Sequence, residues 1–190
     1  MNITTFTQRF APLAAIAIMA LGLSGCSEHG HDHDHSDHDV VTTIELELVA
    51  SDTTIDNQVF TWEDLDGPGG ANPSRIDTVV LRPGMTYTGR LRVANRSVSP
   101  ARDITATIEA ERDNHQFFYQ LSDGLGTLTI TDKDSRQLPV GLVIALVQSG
   151  AASSGTLAVQ LSHFDNATSK NGTTPSDETD VSVVFPVVVR

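Results

Sequence analysis

Five of the seven histidines in this chain fall between His29 and His38, with aspartates interleaved among them. The run reads His29-Gly30-His31-Asp32-His33-Asp34-His35-Ser36-Asp37-His38-Asp39. Imidazole suits zinc, copper and nickel, and the carboxylates of Asp32, Asp34, Asp37 and Asp39 can co-ligate or neutralise the ion. His31, His33 and His35 are two residues apart, so in an extended segment they share a side at about 6.6–6.8 Å spacing. A metal holds its donors much closer, with Zn–N about 2.0–2.1 Å. The segment must therefore curl around an ion, at a cost in ordering entropy. The expectation is a set of overlapping, exchangeable sites for zinc or copper, with His29, His31, His33, His35 and His38 as nitrogen donors. Carboxylates beside the imidazoles favour the protonated ring, and protons compete with metal, so capture by the tract should weaken as pH falls toward 6.

The other two histidines lie far along the chain. His163 closes the pattern Leu157-x-Val159-x-Leu161-x-His163, so its side chain faces with the apolar set. His115 opens the segment that carries Phe117, Phe118 and Tyr119. If these two segments are neighbouring strands, His115 and His163 can share a second metal site, with Asp113 or Asp165 beside them. The other reading is a pair of hydrogen-bonded structural histidines at strand ends.

What must position the tract is the segment before it. Met1–Phe10 carries one charge, Arg9, and Ala11–Leu23 is an apolar run of secretory length, too short to span a bilayer. Leu23-Ser24-Gly25-Cys26 then matches a bacterial lipobox, and Cys26 is the only cysteine. The pattern predicts cleavage after residue 25 and lipid chains such as palmitate on Cys26. Each buried methylene contributes about 0.8 kcal/mol, so several chains anchor stably. Ser27 stands where an aspartate would hold a lipoprotein at the inner membrane. The expected location is the outer membrane, lipid-anchored, on its periplasmic face or at the cell surface.

The predicted organisation is a leader over 1–25, a lipidated His/Asp-rich tether over 26–39 and a folded domain over 40–190. The chain has a formal charge of −12, and removing a leader that carries only Arg9 makes it −13. That charge disfavours nucleic acid as a partner and favours cations. With one cysteine no intrachain disulfide can form, so the domain must rely on its core. From Val40 onward the hydrophobic period is two. Ile44, Leu46 and Leu48 alternate with Thr43, Glu45 and Glu47. Further strands are predicted over 58–63, 75–81, 85–95, 103–110, 116–121, 127–131, 140–148, 155–164 and 181–189. Turn chemistry at Asp66-Gly67-Pro68-Gly69-Gly70, Arg82-Pro83-Gly84, Ser122-Asp123-Gly124 and Asn171-Gly172 separates them. No capped helical repeat stands out. About nine or ten short strands predict an all-β, antiparallel, Ig-like β-sandwich, with a small barrel as the second choice. The aromatic residues Phe60, Trp62, Phe117, Phe118, Tyr119, Phe164 and Phe185 are expected mainly in its core.

Several segments together resemble a group of Bacteroidota lipoproteins often labelled "type 1 periplasmic binding fold superfamily". They are Thr42-Thr43-Ile44-Glu45-Leu46-Glu47-Leu48, Leu81-Arg82-Pro83-Gly84-Met85-Thr86-Tyr87 and Asp103-Ile104-Thr105. Asp113-Asn114-His115-Gln116-Phe117-Phe118-Tyr119, Pro139-Val140-Gly141-Leu142 and Gly155–His163 complete the set. The resemblance implies a lipoprotein often encoded near an outer-membrane TonB-dependent receptor, and hence an accessory role in import. It implies no activity. The strand–helix alternation of an α/β binding protein is absent from this chain, so the sandwich stays the expected fold.

Catalysis finds no motif: there is no G-x-S-x-G elbow, H-E-x-x-H pair or Walker loop. Carboxylate pairs such as Glu109 with Glu111 and Asp132 with Asp134 fit an acidic surface. The sequence therefore points to a non-enzymatic envelope lipoprotein that captures or buffers zinc or copper. The alternative is a structural or adhesive surface lipoprotein that binds a protein or glycan, with the tract incidental.

Overall fold

The computed structural model describes residues 40–67 and 70–190. Cys26 and the His29–Asp39 tract lie outside the described residues, as does any boundary at residue 25 or 39.

The alternation that opens at Val40 becomes β1, Thr43–Ala50, with Ile44, Leu46 and Leu48 buried and Glu45 and Glu47 on the other face. Next come β2 (Gln58–Glu63), the two-residue β3 (Arg75–Ile76), β4 (Val79–Leu81), β5 (Thr86–Asn95) and the short β6 (Arg102–Asp103). One helix, α1 (Ile104–Ala110), precedes β7 (His115–Leu121), β8 (Thr127–Ile130), β9 (Val143–Val147), β10 (Ser153–His163) and β11 (Glu178–Val189). The first sheet has the order β3-β2-β1-β5-β9-β8, with β6 added against β5; the second has the order β4-β11-β10-β7. Inward residues of both sheets form a single apolar cluster. It runs from Leu46, Leu48, Tyr87 and Leu91 of the first sheet to Phe117, Val159, Val183 and Phe185 of the second. Two separate sheets over one core make an all-β sandwich, not a closed barrel. Phe60, Trp62, Phe117, Phe164 and Phe185 are buried in it, while Phe118 and Tyr119 are half-buried.

Three expectations need correction. The strand expected over 103–110 is α1. Ile104 and Ile108, four apart, are its buried residues, and the side chain of Asp103 caps it by accepting from the Ala106 N–H. The stretch Ile104-Thr105-Ala106-Thr107-Ile108 satisfies period two and an i,i+4 pair equally well. The cap, and a two-way bond between Thr105 Oγ1 and the Val93 backbone, decide for the helix. The strand expected over 75–81 breaks into β3 and β4, which join different sheets. The sandwich is also not wholly antiparallel, since β4 pairs with β11 in parallel over Val187–Val189. Pro186, which has no N–H to offer a ladder, sits just before those residues, where no strand flanks β11 on that side.

Candidate metal centre

The site grows out of the second sheet. β7 and β10 are neighbours, and their register sets His115 directly opposite His163. On the other side of β10, His163 stands opposite Glu178 at the start of β11. Three adjacent strands thus present His115, His163 and Glu178 in one row. The row lies on the inward face, one step beyond Phe117 of β7 and Leu161 of β10.

A bulge makes this possible. Leu161 pairs with Val181, but Ser162 pairs with Thr179, so Asp180 is an extra residue on β11. From Val181 to Val189 the inward residues of β11 are odd-numbered. The extra residue switches the parity and brings Glu178 to the face of His163. Bulges re-aim side chains in this way and recur beside functional sites.

The rings of His115 and His163 stack with centroids 4.9 Å apart and planes inclined by 28°. His163 Nδ1 lies 3.2 Å from Glu178 Oε2. His115 is buried, and its Nδ1 lies 3.1 Å from the carbonyl oxygen of Glu111. A carbonyl only accepts, so Nδ1 of His115 carries the proton. Its Nε2 lies 3.9 Å from Asp180 Oδ2. Asp165 follows β10 and completes the cluster. One donor atom each from His163, Asp165 and Glu178 lie within 4.8 Å of one another. Phe164, between His163 and Asp165, is pinned twice: its N–H donates to Asn114 O at 2.8 Å, and Asn114 Nδ2 donates to its carbonyl at 2.7 Å.

The segment after Asp165 is held by a buried ion pair. Lys170 Nζ lies 2.9 Å from Asp134 Oδ2, and neither side chain is exposed at all. Lys170 also donates to Arg112 O at 2.8 Å, which ties the segment to the turn before β7. Burial lowers the pKa of Lys170, with Asp134 opposing that shift. Burial alone would raise Asp134; the bond from Lys170 and the backbone N–H groups of Leu138 and Arg136 outweigh it and hold the carboxyl below its usual value. Between the segment and the centre lies an open depression of about 520 Å³, lined by Asn166, Ser169, Asn171, Thr174 and Ser176 among others.

Of the residues singled out in the sequence, His115, His163 and Asp165 come together here. Asp113 does not. Its carboxylate accepts from the Ser135 hydroxyl at 2.6 Å and the Ser135 N–H at 3.0 Å, bonds that keep its pKa low. Asp132 is likewise structural, accepting from Gly141 and Leu142 N–H groups at 2.9 Å. Glu178 and Asp180 went unremarked in the sequence. Their only signal is an Asp177-Glu178 pair ahead of an apolar alternation, and the bulge that aims them leaves no mark in composition.

Compared with protein-family models, curated proteins and solved structures, the chain matches none of them. No helix among the described residues is long and apolar enough to cross a membrane.

Proposed function

We infer that this protein captures a divalent transition metal, zinc or copper, in the cell envelope. The observation that carries the reading is the convergence of a ring nitrogen of His163 with the carboxylates of Asp165 and Glu178. Tetrahedral zinc with donors at 2.0–2.1 Å spaces them about 3.3 Å apart. The 3.2 Å between His163 Nδ1 and Glu178 Oε2 already matches that edge. Asp165 is exposed and has room to swing in. One imidazole with two carboxylates suits zinc and copper and neutralises a divalent charge. The His29–Asp39 tract supplies loose, exchangeable ligands of the same chemistry. Lipidation at Cys26 would hold both at the outer membrane, as an accessory to a TonB-dependent import receptor.

The test is calorimetric titration with zinc, copper and nickel. It uses protein beginning at Ser27, a version with the five tract histidines changed to serine, and that version carrying His163→Ala. We expect several weak sites and one stronger site in the first, only the stronger site in the second, and none in the third. Absence of binding in all three ends the metal reading and leaves docking to a protein or glycan in its place. Binding confined to the tract places capture in the tether and makes the His115–His163 row structural.

A further inference from the structure

We propose that a metal held by His163, Asp165 and Glu178 keeps one coordination position open to a neutral imidazole borne by another molecule, so that the ion passes through a ternary complex. This rests on the metal reading above and deepens it.

The first support is the count of donors. A tetrahedral ion takes four, and the cluster offers three. Among the described residues the only other histidine is His115, and its ring cannot be the fourth donor. Ligand lone pairs lie in the ring plane, so two imidazoles on one ion need planes that meet at that ion. The planes of His115 and His163 are inclined by only 28°, with centroids stacked 4.9 Å apart. In-plane directions from the two rings therefore run side by side and do not converge within 2.1 Å of both. His115 is further committed by its Nδ1–H bond to Glu111 O and is packed beneath His163. It stacks beneath the His163 ring, and among the described residues no imidazole fills the fourth place.

The second support is the space beside the centre. The depression of about 520 Å³ is lined by Asn166, Ser169, Asn171 and Thr174. The side-chain carbonyls of Asn166 and Asn171 and the Ser169 hydroxyl are engaged in bonds within the loop, so the wall is polar and held by the loop itself. The third is charge. Asp165 and Glu178 already neutralise a divalent ion, and Asp177 adds a negative charge to the same wall. An anionic fourth ligand meets repulsion there, while a neutral nitrogen donor does not. Three protein ligands with one open position also mark zinc sites that accept an outside ligand, whereas structural sites close all four.

The test uses protein beginning at Ser27 with the five tract histidines changed to serine, so that added imidazole is the only free imidazole. One equivalent of cobalt(II), which takes up zinc's geometry and absorbs visible light, is bound at pH 7.5. Imidazole and, separately, acetate are then titrated in. We expect the visible bands to shift and saturate at one imidazole per cobalt, with acetate at equal concentration leaving them unchanged. Cobalt that stays bound with bands unmoved by imidazole means a closed centre, and overturns this proposal while the metal reading stands. An equal shift with acetate overturns the neutral-donor argument. Imidazole that strips the cobalt into solution overturns the ternary complex. Failure of cobalt and zinc to bind at all sinks the metal reading, and this proposal with it.

Discussion

Removing Lys170 isolates the charge of Asp134 inside the protein. Both side chains are wholly buried, and the ammonium stands 2.9 Å from the carboxylate. Breaking a buried pair from one side costs about 3–5 kcal/mol, because the remaining charge has lost its partner in a medium that solvates it poorly. Asp134 keeps some compensation: Oδ1 accepts from the Arg136 and Leu138 N–H groups at 2.8 Å, and Arg136 Nη2 lies 3.7 Å from Oδ2. Lys170→Met, which fills much the same volume, should therefore fall at the lower end, at about 3 kcal/mol. A domain of this size loses about 2–4 °C in melting temperature per kcal/mol, so the midpoint should drop by about 6–12 °C. The double variant Asp134→Leu with Lys170→Met removes both charges and should regain most of the loss, since apolar replacement of a buried pair is often neutral or stabilising. Urea unfolding of the wild type and the three variants, closed as a double-mutant cycle, measures this directly. A Lys170→Met variant within 1 kcal/mol of wild type would refute the reasoning and mean that Asp134 is solvated or protonated in the fold. The same variant should weaken metal binding, because Lys170 anchors the segment that follows Asp165.

Two more outcomes follow from the geometry. Gly141 has φ +96°, and a Cβ there would lie 2.7 Å from Phe117 Cβ, so Gly141→Ala should cost more than about 1 kcal/mol by denaturant unfolding. The Tyr119 hydroxyl, which donates to the Gly141 carbonyl, should show a changed ultraviolet signature in that variant. Acid should destabilise the domain. Asp77 is held below its usual pKa by Arg75, Asp113 by Ser135, and Asp134 by Lys170 and backbone N–H groups against the effect of burial. A depressed carboxylate contributes stability above its unfolded value, about 3.9, and loses it as pH falls through the folded value. Asp64, raised by burial and by Asp66, acts in the opposite sense. Asp52 and Asp66 are lowered as well, so with five groups against one the unfolding free energy should decline below about pH 4; a rise there would contradict these assignments.

How much of this was legible depended on whether a pattern had one physical cause. β1, β5 and β11 alternate because one face meets a core and the other meets water, so the sandwich could be read from Ile44-x-Leu46-x-Leu48 and its counterparts. The helix could not, because Ile104–Ile108 serves either period and the decision rests with a cap and with Thr105 bonding across to β5. That His163 faces inward was legible from its place in an alternating run. That His115 stands opposite it required the pairing of strands about fifty residues apart, a non-local fact. The Asp134–Lys170 pair was invisible for a related reason: nothing local marks a lysine as buried, and these two residues meet only through the fold.

The bulge at Asp180 shows why the centre escaped a reading by residue type. Without that extra residue the inward side chain beside His163 would follow the odd-numbered run and be Thr179, a poor ligand. With it, Glu178 arrives at 3.2 Å and Asp180 comes within 3.9 Å of His115. One residue of length, with no change in composition, separates a hydroxyl from a carboxylate at the decisive place. The row also breaks the rule that governs the rest of its face. Phe117, Leu161 and Val181 are buried and apolar, yet the next step outward holds two imidazoles and an acid where further apolar groups would extend the core. A fold that gives up apolar burial at one end of an otherwise consistent face does so where something other than stability is selected. The proposed cation ligands, His163, Asp165 and Glu178, cluster at this end of the face, with His163 half-buried and both carboxylates exposed.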